Sequence, residues 1–158
     1  MLSSSSPNKF TFETWYRVNE ALQGYADALD RADMDKLLSW FDEKAKWLYS
    51  PTAMVQGHDQ IRAFFEERLG KFARTSHNVC PPVLKAGPEE GVVESTAYFT
   101  AEHLLFDGSR YRVNGRYVDL VKVSGERGSI LQRSVVAHVT EGTDRVYNML
   151  PRKVWQPK

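Results

Sequence analysis

Residues 92–123 decide the fold of this chain: VVESTAYFTAEHLLF (92–106), DGSR (107–110) and YRVNGRYVDLVKV (111–123). Both long pieces are rich in the β-branched and aromatic residues that fit a pleated surface. Side chains of a strand point alternately to its two faces. In the second piece Tyr111, Val113, Tyr117, Asp119 and Val121 therefore share a face. In the first, Tyr98, Glu102 and Leu104 share one. Asp107-Gly108-Ser109 between them is turn chemistry and predicts an antiparallel hairpin. Further out, Gly125-Glu126-Arg127-Gly128 leads into another strand over residues 129–140. Upstream, a turn at 86–91 separates this block from a strand over 75–84, where Thr75, His77 and Val79 lie on one face and Ser76, Asn78 and Cys80 on the other. Four consecutive long strands are expected.

The N-terminal part has a different period. Phe12, Trp15, Val18, Ala21, Leu22, Tyr25, Ala26 and Leu29 recur at spacings of three and four, which predicts an amphipathic helix of about five turns over 11–29. Asp33 is a plausible N-cap for a short second helix carrying Leu37, Leu38, Trp40 and Phe41. Ala45, Trp47 and Tyr49 alternate with polar residues as a short strand, and residues 51–57 read as a loop. Ile61, Phe64, Phe65 and Leu69 form the apolar stripe of a third helix over 58–69, stopped by Gly70. Helices come first and strands run consecutively, so the fold class is α+β, with helices packed on one face of an antiparallel sheet. A strongly curved sheet of this kind makes a cone closed by the N-terminal helices, and its apolar pocket is a natural small-ligand site.

At 158 residues the chain suits a single core. One domain over 11–140 is expected, with a serine-rich disordered leader at 1–10. The tail at 141–158, with Met149, Leu150 and Trp155, caps the pocket or a subunit interface in this reading. Basic and acidic residues number 21 and 20, for a net charge of +1, so no basic excess attracts nucleic acid or an anionic membrane surface. Cys80 stands alone, which excludes an intrachain disulfide and a cysteine metal cluster. The N-terminus lacks a secretory apolar core, pointing to a cytoplasmic location.

Polar residues on otherwise apolar faces are the candidates for chemistry. A carboxylate on an apolar strand face, as at Asp119, must be paired or protonated. Tyr49 shares its face with Trp47, and Asp30 sits where the long helix ends. His58, His77, His103 and His138 are widely separated and show no metal-ligand spacing. Gly-rich phosphate loops, His-Glu-x-x-His and Gly-x-Ser-x-Gly are all missing from the sequence. What remains is acid–base chemistry with no metal and no cofactor, around a histidine flanked by tyrosines and carboxylates. Imidazole is the side chain best suited to move protons near neutral pH, and His77 is the most suggestive of the four.

The segment 25–38, with Asp30, Asp33 and Leu38, resembles the first helix, turn and second helix of the nuclear transport factor 2-like superfamily, in its SnoaL-like and scytalone dehydratase-like branch. Residues 45–49 and 57–65 are similar to that superfamily's first strand and third helix, and 115–119 to its long central strand. The resemblance covers roughly 12–140 and implies a cystatin-like α+β roll. It also implies roles. The Asp–His dyad of scytalone dehydratase and of lindane dehydrochlorinase falls on Asp30 and His77, and the dehydratase's carbonyl-binding tyrosine on Tyr49. The dehydratase's second histidine lines up with Glu102, one residue from His103, and its pocket asparagine with Asp119. Against ketosteroid isomerase, Tyr25 and Asp119 match the oxyanion donors, whereas the general base falls at Tyr49 and is missing. An Asp-Arg-Asp set of the limonene epoxide hydrolase type finds no convincing place.

The resulting expectation is a cofactor-independent dehydratase, isomerase or cyclase of secondary metabolism. Its base is His77 oriented by Asp30. Tyr49, with Tyr25 or a protonated Asp119, stabilises the developing oxyanion. Trp40, Trp47, Phe65, Tyr98, Tyr111 and Tyr117 are expected to line the pocket, which suggests a flat, hydrophobic and even polycyclic carbonyl substrate. A homodimer or homotrimer is expected, with no nucleic acid and no membrane as partner. The alternative is a non-catalytic ligand-binding or oligomerisation module of the same fold.

Overall fold

The computed structural model describes residues 10–143, 147–149 and 151. The leader expected at 1–10 lies outside these residues except for Phe10, as do Leu150 and Trp155 of the tail. Helix α1 spans Phe12–Asp30, α2 Met34–Leu38 and α3 Gly57–Leu69. The strands are β1 (Phe41–Ser50), β2 (Ala53–Gln56), β3 (Phe72–Val79), β4 (Val83–Ala86), β5 (Val92–Leu105), β6 (Arg110–Lys122), β7 (Ser129–Glu141) and β8 (Asn148–Met149). They form one sheet in the order β2-β1-β7-β6-β5-β3, with β4 on β5 and β8 on β7. All main-path neighbours are antiparallel except β1 and β7. Register shifts in β6/β7 at Asn114/Gly115 and Leu120/Val121, and in β3/β5 at Phe72/Arg74, mark bulges of the kind that bend a sheet. This is the α+β architecture of a curved sheet with its helices on the concave side. No described helix is long and apolar enough to cross a membrane.

Local chemistry explains both ends of α1. The hydroxyl of Thr11 accepts a hydrogen bond from the Thr14 amide at 3.1 Å and caps α1. At the other end the Asp33 amide reaches the Ala28 carbonyl at 2.9 Å, the long bond of a Schellman motif. That turn needs a left-handed residue, and Ala32 supplies it at φ 54°. An L-residue with a Cβ is strained there by about 1–2 kcal/mol, which glycine avoids. Ala32→Gly is therefore expected to stabilise the protein by about 0.5–1 kcal/mol after its larger unfolded-state entropy is counted, read as a higher urea midpoint. A lower midpoint would contradict the strain. The turn matters to the site because it fixes where Asp30, the last residue of α1, points.

Burial follows the two periods. The larger apolar cluster joins Tyr25 and Leu29 of α1 and Ile61 and Phe65 of α3 to Trp47, Phe99, Tyr111 and Tyr117 of the sheet. A smaller one, Val18, Leu22, Val93, Ala97 and Val121, lies under the first half of α1.

Several sequence expectations shift. The strand expected over 75–84 is two strands, because Pro81 and Pro82 have no amide to give the ladder. The second helix stops at Leu38. Phe41 already pairs with Ile130 of β7, and the Trp40 carbonyl accepts from the Ile130 amide, so both leave the helix. The loop expected at 51–57 contains β2, which folds back on β1 with Trp47 opposite Val55.

Candidate active site

A cavity of about 240 Å³ opens between the helices and the concave face of the sheet. His77 stands in its wall on β3, with Thr75 beside it. Its side chain is 6% exposed and that of Asp30 is 27% exposed. The His77 ring nitrogen Nδ1 lies 2.7 Å from Asp30 Oδ1. The His77 amide donates to Asp30 Oδ2 at 2.8 Å, and the Thr75 hydroxyl to Oδ1 at 2.8 Å. Burial pushes the Asp30 carboxyl up, but the hydrogen bonds from the His77 ring and amide, with that of Thr75, outweigh it and leave the carboxyl lowered. An ionised carboxylate only accepts, so Nδ1 carries the proton and Nε2 is the basic atom of the neutral ring. Among the described residues Nε2 has no hydrogen-bond partner.

The lowered carboxyl sets a pH dependence. Stability from the Asp30 bonds is in place above the ordinary carboxylate value of 3.8 and is lost as pH falls through the lower folded value. Asp30→Asn is expected to cost on the order of 2 kcal/mol at pH 7. It should flatten the stability loss between neutral and acid pH, measured as urea midpoints at pH 7 and pH 3. An unchanged slope would show that other carboxyls carry the acid sensitivity.

The strand faces sort the other candidates. Trp47, Tyr49, Phe65, Tyr111 and Tyr117 line the cavity as expected, and Tyr25 of α1 lines it with them. His103, not Glu102, faces inward. Its ring stacks on Tyr111 at 4.1 Å between centroids and meets His77 edge to face at 5.6 Å. Glu102 and Tyr98 are corrections. Both point to the outer face, where Glu102 pairs with Arg112 at 2.8 Å and Tyr98 is 56% exposed. Trp40 is another: it packs on the bare backbone of Gly24, under Lys36 and Arg127, away from the cavity.

Asp119 faces inward but lies beneath the cavity lining, in a fully buried pair with Arg133. Two parallel bonds join them, Nε to Oδ1 at 2.9 Å and Nη2 to Oδ2 at 2.7 Å. Burial pushes Asp119 up and Arg133 holds it back. A guanidinium bound through both nitrogens occupies both carboxylate oxygens, so the protonated Asp119 donor expected from sequence is replaced by an ion pair. The Arg133 guanidinium carbon also sits 4.2 Å from the ring centre of Tyr25 and 4.1 Å from that of Tyr117. Burial pushes the Tyr25 phenol up to about 12, against the pull of Arg133, and lifts Tyr117 well above its ordinary value. Both phenols stay protonated donors at any working pH.

Sequence reasoning missed Arg133, and Arg68 and Tyr147, which also line or underlie the cavity. Among the described residues no group of three or more His, Cys, Asp or Glu could hold a metal ion.

A sequence model of the SnoaL-like domain matches residues 13–128. Among proteins of curated function, none matches the sequence significantly. Solved structures match the fold over nearly the whole chain. A candidate scytalone dehydratase from Novosphingobium aromaticivorans superposes with a TM-score of 0.80 at 19% identity, over 88% of this chain and 94% of its own. A candidate aromatic ring hydroxylase from the same organism gives 0.79 at 24%, over 85% and 96%. A hexachlorocyclohexane dehydrochlorinase from Novosphingobium barchaimii gives 0.71 at 9%, over 86% and 94%. At these identities the likeness establishes the fold.

Proposed function

Because the chain belongs to the SnoaL-like domain family, we propose that it is a cofactor-independent acid–base enzyme, a lyase or isomerase acting on a small hydrophobic carbonyl compound. The observation that carries this reading is the 2.7 Å contact of Asp30 with His77 in the wall of an aromatic cavity. The structural likeness to a candidate scytalone dehydratase and to a dehydrochlorinase supports it. So does the aromatic lining, which also suits tailoring steps of secondary metabolism.

In this mechanism Asp30 holds the His77 ring with its proton on Nδ1, and Nε2 takes a proton from the carbon next to the substrate carbonyl. The electron pair moves onto the carbonyl oxygen. Tyr25 and Tyr117 are neutral phenols that hydrogen-bond each other beside the Arg133 cation, so the pair has one proton left to donate to that oxygen, and Tyr49 can reach it from the facing wall. When a hydroxyl lies β to the carbanion, the imidazolium passes its proton to that hydroxyl. The C–O bond breaks, water leaves and His77 returns to the neutral form. Without a leaving group, the proton returns at another carbon and the outcome is isomerisation.

Proton abstraction can be followed before the product is known. Small aryl ketones and β-hydroxy ketones are incubated with the protein in D2O, and NMR monitors deuterium entering the α-carbon and water loss. Exchange is expected with the native protein and not with His77→Ala. Exchange that survives the substitution would overturn the reading.

One observation favours a second reading, a ligand-binding module. Asp30 also bonds the His77 main chain and Thr75, which is how a helix end would be fastened to a strand for structural reasons. In that case His77→Ala lowers stability and leaves ligand binding untouched.

A further inference from the structure

Strand β7 changes neighbours along one edge, and the change falls in the wall of the cavity. Its other edge is taken by β6 from Ser129 to Glu141. Along the first edge β1 runs parallel to it as far as Leu48, opposite Ser134, and then turns back into β2. The short strand β8 takes over from there, also parallel, with Asn148 opposite Val136 and Met149 opposite Ala137. Counting one residue on from the first register and one back from the second puts Tyr49 and Tyr147 at the same level, that of Val135. All three residues line the cavity. The sheet therefore has a seam at Val135, where one strand has left and the next has not yet paired, with a tyrosine from each side.

The two tyrosines are held differently. Tyr49 belongs to a long strand and packs on Phe64 at 4.4 Å between ring centres. Tyr147 precedes a strand of two residues and is the one described cavity residue that follows β7 in the chain. It is half-buried against the larger apolar cluster. A tyrosine has an apolar ring and a polar tip, which suits a wall residue between an apolar cavity and water. The cavity, at about 240 Å³, is smaller than the usual drug-sized site of about 300–1,000 Å³, so a ring more or less in its wall changes what fits. His77 is on β3, at the end of the sheet order away from β1, so a ligand engaged there turns its far end towards the seam. From these observations we infer that Tyr147 determines specificity: its ring closes the seam between β1 and β8 and limits the ligand to a single-ring carbonyl compound, excluding a linear two-ring one. The inference rests on the proposed use of the cavity as the substrate site, but not on proton abstraction by His77.

The test compares two ketones that differ in length, acetophenone and 4-acetylbiphenyl, titrated by calorimetry at pH 7 into the full chain. The readout is the ratio of their dissociation constants, which a general loss of folding does not move. Tyr147→Ala is expected to tighten binding of 4-acetylbiphenyl about 10- to 100-fold, what burying a further ring is worth, and to leave acetophenone within about threefold. Tyr147→Phe keeps the ring and should keep the native ratio. So should Tyr98→Ala, on the outer face. If Tyr147→Ala does not fold, Tyr147→Leu, apolar but shorter than the ring, is judged by the same ratio. A ratio unmoved by the shortened variant, a ratio that moves as far in Tyr147→Phe, or binding of neither ketone by native and variant alike would overturn the inference. Deuterium exchange judges the acid–base reading separately. A ratio that shifts as expected, in a protein that shows no exchange, would refute that reading and leave Tyr147 as the limiting wall. Exchange with an unmoved ratio would do the reverse.

Discussion

His77→Ala is expected to lower turnover by at least about 10²–10⁴, the usual contribution of a positioned acid–base group, and to leave the protein folded. The effect on rate should be large because in the proposed mechanism His77 serves twice, first as base and then, protonated, as the acid for the leaving hydroxyl. The effect on stability should be modest. The substitution removes the ring bond to Asp30 but keeps the two that Asp30 accepts from the residue-77 amide and the Thr75 hydroxyl. The pattern to look for is thus a collapse of the rate constant with a melting temperature moved by only a few degrees and ligand affinity unchanged. Turnover within tenfold of native would remove His77 from the mechanism.

The largest expected loss of stability comes from Arg133→Met. It leaves Asp119 ionised and unpaired in a place with no solvent contact, a situation that costs about 3–5 kcal/mol. In a chain of this size that is about 6–20 °C of melting temperature. Asp119→Leu alone strands the cation in the same way. Combining Arg133→Met with Asp119→Leu does not give the sum of the two costs, because neither charge remains. Such replacements are often neutral or stabilising. Urea titrations of the native protein, the two single variants and the double variant measure the coupling, and additive costs would show that the pair is not the source of the destabilisation. The double variant is informative for function as well. It should fold yet turn over slowly, because the cation has gone from behind the phenols of Tyr25 and Tyr117.

These side chains differ in how far the sequence announces them. Asp119 stands out as a charge in a regular apolar alternation, and its need for a partner follows directly. The partner does not. Counting by twos from Ile130 puts Arg133 on the outer face, but β7 carries an extra residue against β6 between Ile130 and Gln132, so that Ile130 and Arg133 both point inward. A bulge that flips parity leaves no mark in composition. The choice between Glu102 and His103 fails for a related reason. Both faces of β5 carry aromatic residues, Tyr98 on one and Phe99 on the other, so the pattern does not say which is inside. Trp40 looks like a pocket residue from its hydrophobicity, yet a bare glycine on α1 gives it a seat elsewhere. The helices and long strands were readable because their periods are strong. The meeting of Asp30 with His77, 47 residues apart, is tertiary, and in the sequence it came only through family resemblance.

The place of β7 in the sheet governs how the chain can come together during synthesis. Among the described strands it is the last long one to leave the ribosome, yet it lies between β1 and β6 rather than at an edge. Until it arrives, β1 with β2 and α3 forms one fragment and the strands from β3 to β6 another, each with an unpaired edge. Its parallel pairing with β1 joins residues about 85 positions apart, for example Leu48 with Ser134, so much of the loop-closure entropy falls on the final step. The nascent chain therefore has to keep two open edges from other chains until that strand inserts.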